Sequence, residues 1–264
     1  MSDFLEKNPW NALRQFTNAR IALGRAGNSL PTAPLLAFNL SHAQARDAVH
    51  HPLDTDALHE QLRAQNLATL DVHSAAPDRE HYLRRPDLGR RLNDESREAL
   101  KQRAAESPEV VFVIGDGLSA FAASKQSVPL LQTVLPRLTD WKLGPVVVAR
   151  QARVALGDEI GELLGAKLVV MLIGERPGLS SPDSLGIYLT YAPKVGCSDA
   201  QRNCISNVRP EGLNYDAAAH KLHYLLTHAR RLGLTGVGLK DDSDALLTNA
   251  SPTSAIPAAR DDSN

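Results

Sequence analysis

One stretch constrains the fold of this chain more than any other: Arg153–Leu179, RVALGDEIGELLGAKLVVMLIGERPGL. Its centre, Leu168 to Ile173, is six apolar residues in a row. A run that short and unbroken reads as a strand buried on both faces of a parallel sheet. Before it, Val154 to Gly165 carries Ile160, Leu163 and Leu164 at the spacing of one helix face. Asp158 and Glu159 fall in the first turn of that helix, where its dipole favours negative charge. Gly165 is suited to stop the helix, because glycine takes the left-handed C-terminal position without steric cost. After the strand comes Gly174-Glu175-Arg176-Pro177-Gly178, a polar, glycine-bracketed loop at the carboxyl end. That end is where open parallel sheets bind their ligands.

The same texture begins near Glu109. Val110 to Ile114, Val146 to Ala149 and Gly186 to Tyr191 read as further strands with helical segments among them. Asp216 to Leu232 reads as a long helix with Ala218, Leu222, Leu225, Ala229 and Leu232 on one face, closed by Gly233. Such alternation predicts an α/β fold of right-handed βαβ units with a parallel sheet. Upstream, Asn8 to Arg25 reads as a helix opened by Asn-Pro, and Pro31 and Pro34 then end regular structure. His42 to Asn66 reads as a polar helix broken at Pro52, and Leu67 to His73 as a short strand. The predicted organisation is a mainly helical region over residues 1–105, an α/β domain over 106–245 and a disordered polar tail over 246–264.

Charge and composition exclude several functions. At 264 residues, 43% hydrophobic and 22% charged, the chain is long enough for a real core and ordinary for a soluble protein. A net charge of -1 offers no global basic field for nucleic acid or an acidic membrane. No apolar run is long enough to span a bilayer. MSDFLEKNPW lacks the basic-then-apolar layout of a signal peptide, so a cytoplasmic chain with Cys197 and Cys204 as reduced thiols is expected.

Several motifs invite chemistry. Gly115-Asp116-Gly117-Leu118-Ser119-Ala120 follows a strand and opens a helix, matching G-x-G-x-x-A, the dinucleotide fingerprint. Its confirming acidic residue, about 20 positions on at the end of the next strand, is missing. A tight βα turn is therefore the favoured reading, and a free-standing nucleotide-dependent oxidoreductase is the alternative function. Glu175 is a carboxylate positioned by Pro177 and Gly178 that can accept hydrogen bonds from a ligand; by spacing alone a Glu175–Arg176 surface turn is the favoured reading. Cys204, in Arg202-Asn203-Cys204-Ile205-Ser206-Asn207-Val208, reads as part of a polar loop, and its bland role is a small buried residue. His42, His50, His51 and His59 match no common metal spacing and read as surface histidines. Asp71-Val72-His73 begins a D-x-H-x-x-G motif, in which a histidine replaces the lower ligand of cobalamin, but Ala76 stands in the glycine's place. HYLRRPDLGRRLNDESREAL is rich in arginine and reads equally as an anion- or partner-facing surface and as a helix lined with Arg–Glu pairs.

Taken together, TNARIALGRAG, YLRRPDLGRRL, GDGLSA, RVALGDEIGELLGAK, GERPGL and NCISN resemble, in this order, the small (light) subunit of ethanolamine ammonia-lyase. The resemblance runs from about residue 8 to about residue 240. It implies a Rossmann-like subunit that pairs with a larger barrel subunit, with adenosylcobalamin between the two and ethanolamine bound mainly by the large subunit. The implied reaction begins with homolysis of the cobalt–carbon bond and ends in release of acetaldehyde and ammonia; the cofactor supplies the radical chemistry. The resemblance also implies cofactor contacts at Val154, Glu175 and Cys204. No catalytic or metal-ligating residue is expected in this chain. The failed D-x-H-x-x-G implies base-on cobalamin with no protein histidine on cobalt. Some relatives carry a long N-terminal extension that directs them into a bacterial microcompartment. Here only about seven residues precede the match, so the cytoplasm is the expected location and a microcompartment the variant of it. The arginine block and the N-terminal helix are expected to face the large subunit or a neighbouring copy.

Overall fold

Leu168–Gly174, buried along its whole length, is the inner strand around which a six-stranded sheet is assembled in the computed structural model. The structure describes residues 5–6, 8–103 and 107–243. In chain order the strands are β1 (Leu5–Glu6), β2 (Arg25–Ala26), β3 (Thr69–His73), β4 (Val110–Gly115), β5 (Val146–Arg150), β6 (Leu168–Gly174), β7 (Leu185–Tyr191) and β8 (Arg202–Val208). The helices are α1 (Thr32–His50), α2 (Thr55–Ala64), α3 (Arg79–Arg84), α4 (Asp94–Lys101), α5 (Ala120–Val134), α6 (Leu156–Leu163) and α7 (Tyr215–Leu232). The main sheet runs β3-β5-β4-β6-β7-β8, while β1 and β2 pair only with each other.

The sheet is mixed rather than wholly parallel. β3, β5, β4 and β6 are parallel, but β7 is antiparallel to β6, and β8 to β7. The reason is the length of the connections. Residues 175–184 and 192–201 contain no α-helix, and about a dozen or more residues, usually helical, are needed to return a chain for parallel pairing. β3 pairs with β5, so a strand from the first 105 residues completes the sheet. The predicted boundary at 105 and the predicted tail over 246–264 lie outside the described residues.

Two apolar layers flank the sheet. Leu58 and Leu62 of α2, Leu130 and Leu131 of α5 and Leu222 and Leu226 of α7 pack on one face, against Phe112, Val170 and Ile187. Leu100 of α4 and Leu156 and Ile160 of α6 pack on the other, against Val113, Val147 and Met171. Gly165 takes φ +63° just past α6, the left-handed stop its sequence predicts.

The N-terminal reading needs correction. Only Pro9–Phe16 is helical in the predicted Asn8–Arg25 segment, and it is a 3-10 helix, capped by Asn8 accepting from the Trp10 N–H at 2.9 Å. Pro31 and Pro34 do not end regular structure. Thr32 opens α1 with Pro34 in its first turn, where a missing N–H has no partner to lose. His59 is buried rather than solvated, its Nε2 2.7 Å from Asp71 Oδ2.

Candidate functional site

In this sheet α5 follows β4 onto one face and α6 follows β5 onto the other. The ligand crevice of an open α/β sheet would therefore fall between the carboxyl ends of β4 and β5. Here that crevice is filled by the protein. Asp116, 3% exposed, accepts at 2.8 Å from the Gln151 N–H and at 2.8 Å from the Ala152 N–H, stapling the two loops together. Arg79 lies beside it, Nη1 3.6 Å from the carboxylate, and donates to the Gly117 and Val49 carbonyls at 2.8 and 2.6 Å. Tyr82, fully buried, donates to the Ala152 carbonyl at 3.0 Å, and its ring is held by the guanidinium groups of Arg79 and Arg153 at 4.6 and 4.2 Å. Burial pushes the Asp116 carboxyl above the usual carboxylate range, against the backbone N–H groups and Arg79 that favour its charge.

The second glycine of GDGLSA and the first of GERPG serve this packing. A Cβ on Gly117, which has φ +56°, would lie 2.2 Å from the Gly174 carbonyl oxygen, and one on Gly174 would lie 1.9 Å from that of Ser119. The Leu118 N–H donates to the Gly174 carbonyl at 2.9 Å. Ser119 caps α5, its Oγ accepting from the Ala122 N–H at 3.1 Å and donating to the Pro182 carbonyl at 2.8 Å. The turn is thus pressed against the GERPG loop, in the space a pyrophosphate would need. The nucleotide-dependent oxidoreductase reading loses its structural basis.

An uncovered surface lies on the other half of the sheet. Tyr188 pairs with Cys204 and Thr190 with Arg202, so these four side chains share one face of β7–β8. The opposite face, with Ile187, Leu189 and Ile205, is buried under α5 and α7. On the first face α6 reaches only the near end: its Asp158 forms a buried ion pair with Arg202. Tyr188 remains half-buried, and Cys204 and Ser206 are exposed. Cys204 therefore sits in a strand, not in the predicted loop, its Sγ 3.3 Å from Ser206 Oγ. Burial raises the pKa of the Tyr188 hydroxyl, and Cys204 and Glu175 add to the shift.

Glu175 stands at the carboxyl edge of this face. Its Oε2 accepts from the Ser184 hydroxyl at 2.5 Å and from the Asn207 N–H at 3.2 Å, while its own N–H donates to the Ser184 carbonyl at 2.9 Å. The carboxylate is fixed through one oxygen, and Oε1 points towards Gly186. A Cβ on Gly186 would meet Oε1 at 3.1 Å and the Tyr188 ring at 3.2 Å, so the glycine leaves a notch between the two.

Val154 lies at the start of α6 and lines a cleft of about 630 Å3 whose other walls include Arg90, Arg91, Arg153, Tyr188 and Arg202. Tyr188 is the residue that connects the three predicted positions: it shares the cleft with Val154, pairs with Cys204 and adjoins Glu175. Glu175 and Cys204 do not line the cleft itself. The arginine block reaches it because Arg153 N–H donates to the Gly89 carbonyl at 2.8 Å, and Leu92 N–H to Glu159 Oε2 at 2.7 Å. Sequence reasoning missed Tyr188 and the 192–201 loop on the cleft rim. It also missed β8, where Arg202 is buried on the face opposite to Ile205, and Ile205 and Val208 fall three apart because the strand carries an irregularity at positive-φ Asn207.

Comparison with known proteins places these features in a family. The family model described as Ethanolamine ammonia-lyase light chain (EutC) matches residues 7–240. An ethanolamine ammonia-lyase small subunit from Ralstonia nicotianae is 57% identical over 249 residues, covering 92% of each chain. Those of Pseudomonas fluorescens (strain Pf0-1) and Azotobacter vinelandii are also 57% identical, over 242 and 243 residues, covering 90% of this chain and 88% and 90% of theirs.

Proposed function

The chain belongs to the ethanolamine ammonia-lyase light-chain family, and we propose that it is the small subunit of that lyase, clamping adenosylcobalamin against a large subunit that binds ethanolamine. The observation that carries the cofactor half of this reading is the uncovered β7–β8 face beside a plugged crevice. A flat macrocycle needs a broad, half-apolar platform with fixed polar groups at its rim. Tyr188, Val154 and the notch at Gly186 supply the platform, and Glu175 Oε1 and Cys204 supply rim contacts. Bound there, the cofactor would supply the hydrogen-abstracting radical for deamination.

The chain's own residues orient and seal. Glu175, held by Ser184 and Asn207, presents an acceptor of fixed position to the amide side chains of a corrin. Val154 gives apolar and backbone contact, and Cys204 packs at the edge. Base-on binding is supported by the position of His73: it ends β3, at the opposite edge of the sheet from β8, and its Nδ1 is 2.8 Å from the Ser74 carbonyl oxygen. The large subunit is the proposed cover for a second surface. Trp10, Phe16, Leu36 and Leu40 are all exposed, and α1 buries only Ala48. Aromatic residues and arginine on an exposed apolar surface are the signature of an interface core. Arg20 donates to the Leu179 carbonyl at 3.3 Å, joining this surface to the GERPGL loop. No helix among the described residues is long and apolar enough to cross a membrane.

Co-expression with the large subunit, followed by assay of acetaldehyde with and without adenosylcobalamin, tests the activity. A purified complex that forms no acetaldehyde with the cofactor present would refute it. Glu175→Ala is expected to co-assemble normally and bind cobalamin roughly tenfold more weakly, the loss of about one hydrogen bond to a charged group. Unchanged affinity would remove Glu175 from the site.

A further inference from the structure

The cleft beside Val154 carries more positive charge than the protein uses. Arg90, Arg91, Arg153 and Arg202 line it. Arg202 is compensated, pairing with buried Asp158 and, at 3.0 Å, with Asp199. Among the described residues, Arg90, Arg91 and Arg153 have no carboxylate within ion-pair distance. Arg153 spends one Nη2 donor on the Tyr82 carbonyl at 3.2 Å and stacks on that ring. Its Nε and the Nε of Arg202 are buried without hydrogen-bond partners. Arg202 is itself 8% exposed and faces the cleft, and an orphaned buried donor at a cleft wall asks for an acceptor. Arg90 and Arg91 stand exposed, held near it by the Gly89–Arg153 backbone contact. Covering this face with another chain would strip water from three uncompensated guanidinium groups, which is costly unless an anion enters with it.

The proposed cofactor has one anionic group away from its ring. The corrin's peripheral amides are neutral, whereas the nucleotide tail contains a phosphodiester. Guanidinium forks match phosphate oxygens in both charge and geometry. Tyr188 and Val154 connect the cleft to the platform. We propose that Arg90, Arg91 and Arg153, with the free Nε of Arg202, form an anion pocket that holds the phosphodiester of the cobalamin nucleotide tail. This rests on the cobalamin reading above and assigns residues that reading does not include.

The test compares two corrinoids on the co-expressed complex of both subunits, by absorbance titration: hydroxocobalamin, which has the phosphodiester, and cobinamide, which lacks the nucleotide tail. Arg90→Met with Arg91→Met alters only exposed side chains, and Arg153→Met removes the guanidinium while keeping an apolar stem on Tyr82. Each is expected to weaken cobalamin binding roughly tenfold or more while leaving cobinamide affinity unchanged. Arg153→Lys should recover part of the loss through its charge. Equal weakening of both corrinoids, or no change in either, would overturn the pocket while leaving the cofactor reading intact. Variants that no longer hold the large subunit would also overturn it, assigning the arginines to that subunit's carboxylates. A native complex that binds neither corrinoid would defeat the cofactor reading itself, and the pocket with it. Should Arg153→Met fail to fold, the exposed pair decides.

Discussion

Gly174 is where the two carboxyl-end loops approach most closely. A methyl group there would sit 1.9 Å from the Ser119 carbonyl oxygen, an atom fixed at the start of α5. Neither loop can move without disturbing the cap at Ser119 or the Leu118–Gly174 hydrogen bond. Gly174→Ala is therefore expected to cost about 3 kcal/mol or more of stability, read by urea denaturation. Gly178→Ala is the comparison: its new Cβ would meet only the Ser181 hydroxyl, at 2.7 Å, and that side chain can rotate away. A loss below about 1 kcal/mol is expected there. Equal losses at both positions would mean that the loops do not pack as described. Gly174 of GERPG and Gly117 of GDGLSA thus have a reason in packing, and Glu175, next to Gly174, is left at the edge of the uncovered face.

Between elements, two ion-pair sites tie the helices to the sheet. Asp158 and Arg202 join α6 to β8 with both side chains almost fully buried. Replacing Arg202 alone by Met strands a buried carboxylate and is expected to cost about 3–5 kcal/mol. Asp158→Leu with Arg202→Met should recover much of that, because a removed pair leaves no uncompensated charge. A double-mutant cycle on denaturation midpoints checks this, and additive losses would show that the pair is not coupled. Glu109 works at the other end of the sheet, accepting from Arg230 of α7 at 2.9 and 3.0 Å and from the Lys142 N–H at 3.2 Å. Burial opposes its charge, but the Lys142 N–H and Arg230 outweigh it and hold its pKa below the usual carboxylate value. A depressed folded pKa means stability that is present above the unfolded value and lost as pH falls through the folded one. The stability gap between the native chain and Glu109→Gln should therefore be open at pH 7 and close in the acid range below the ordinary carboxylate pKa. A gap independent of pH would refute the ion-pair role.

At the scale of the molecule, the unusual feature is how much apolar surface the N-terminal segment leaves outside. Phe16 is 78% exposed and Trp10 65% exposed. An exposed apolar patch of this kind marks an interaction surface. Addition of the large subunit should slow amide hydrogen exchange across Pro9–His50, and exchange there that is unaffected by assembly would place the interface elsewhere. The same experiment repeated with cobalamin should protect β7 and β8, whose outer face is the proposed platform.

Local patterns in the sequence determined the strands β4, β5, β6 and β7, the α6 and α7 helices and the stop at Gly165, since each rests on residues within one or two turns of each other. They also determined the family, through blocks such as YLRRPDLGRRL and GERPGL. The direction of β7, the existence of β8 and the filling of the β4–β5 crevice were decided only by tertiary structure. Antiparallel return follows from what two ten-residue connections can reach. β8 hides its period behind the irregularity at Asn207. The crevice is closed by Arg79 and Tyr82, more than thirty residues from Asp116 in the chain, and no local pattern records that contact. For the same reason Val154, Glu175 and Cys204 could be picked out singly, but the residue that joins them, Tyr188, appears only when β7 lies between β6 and β8.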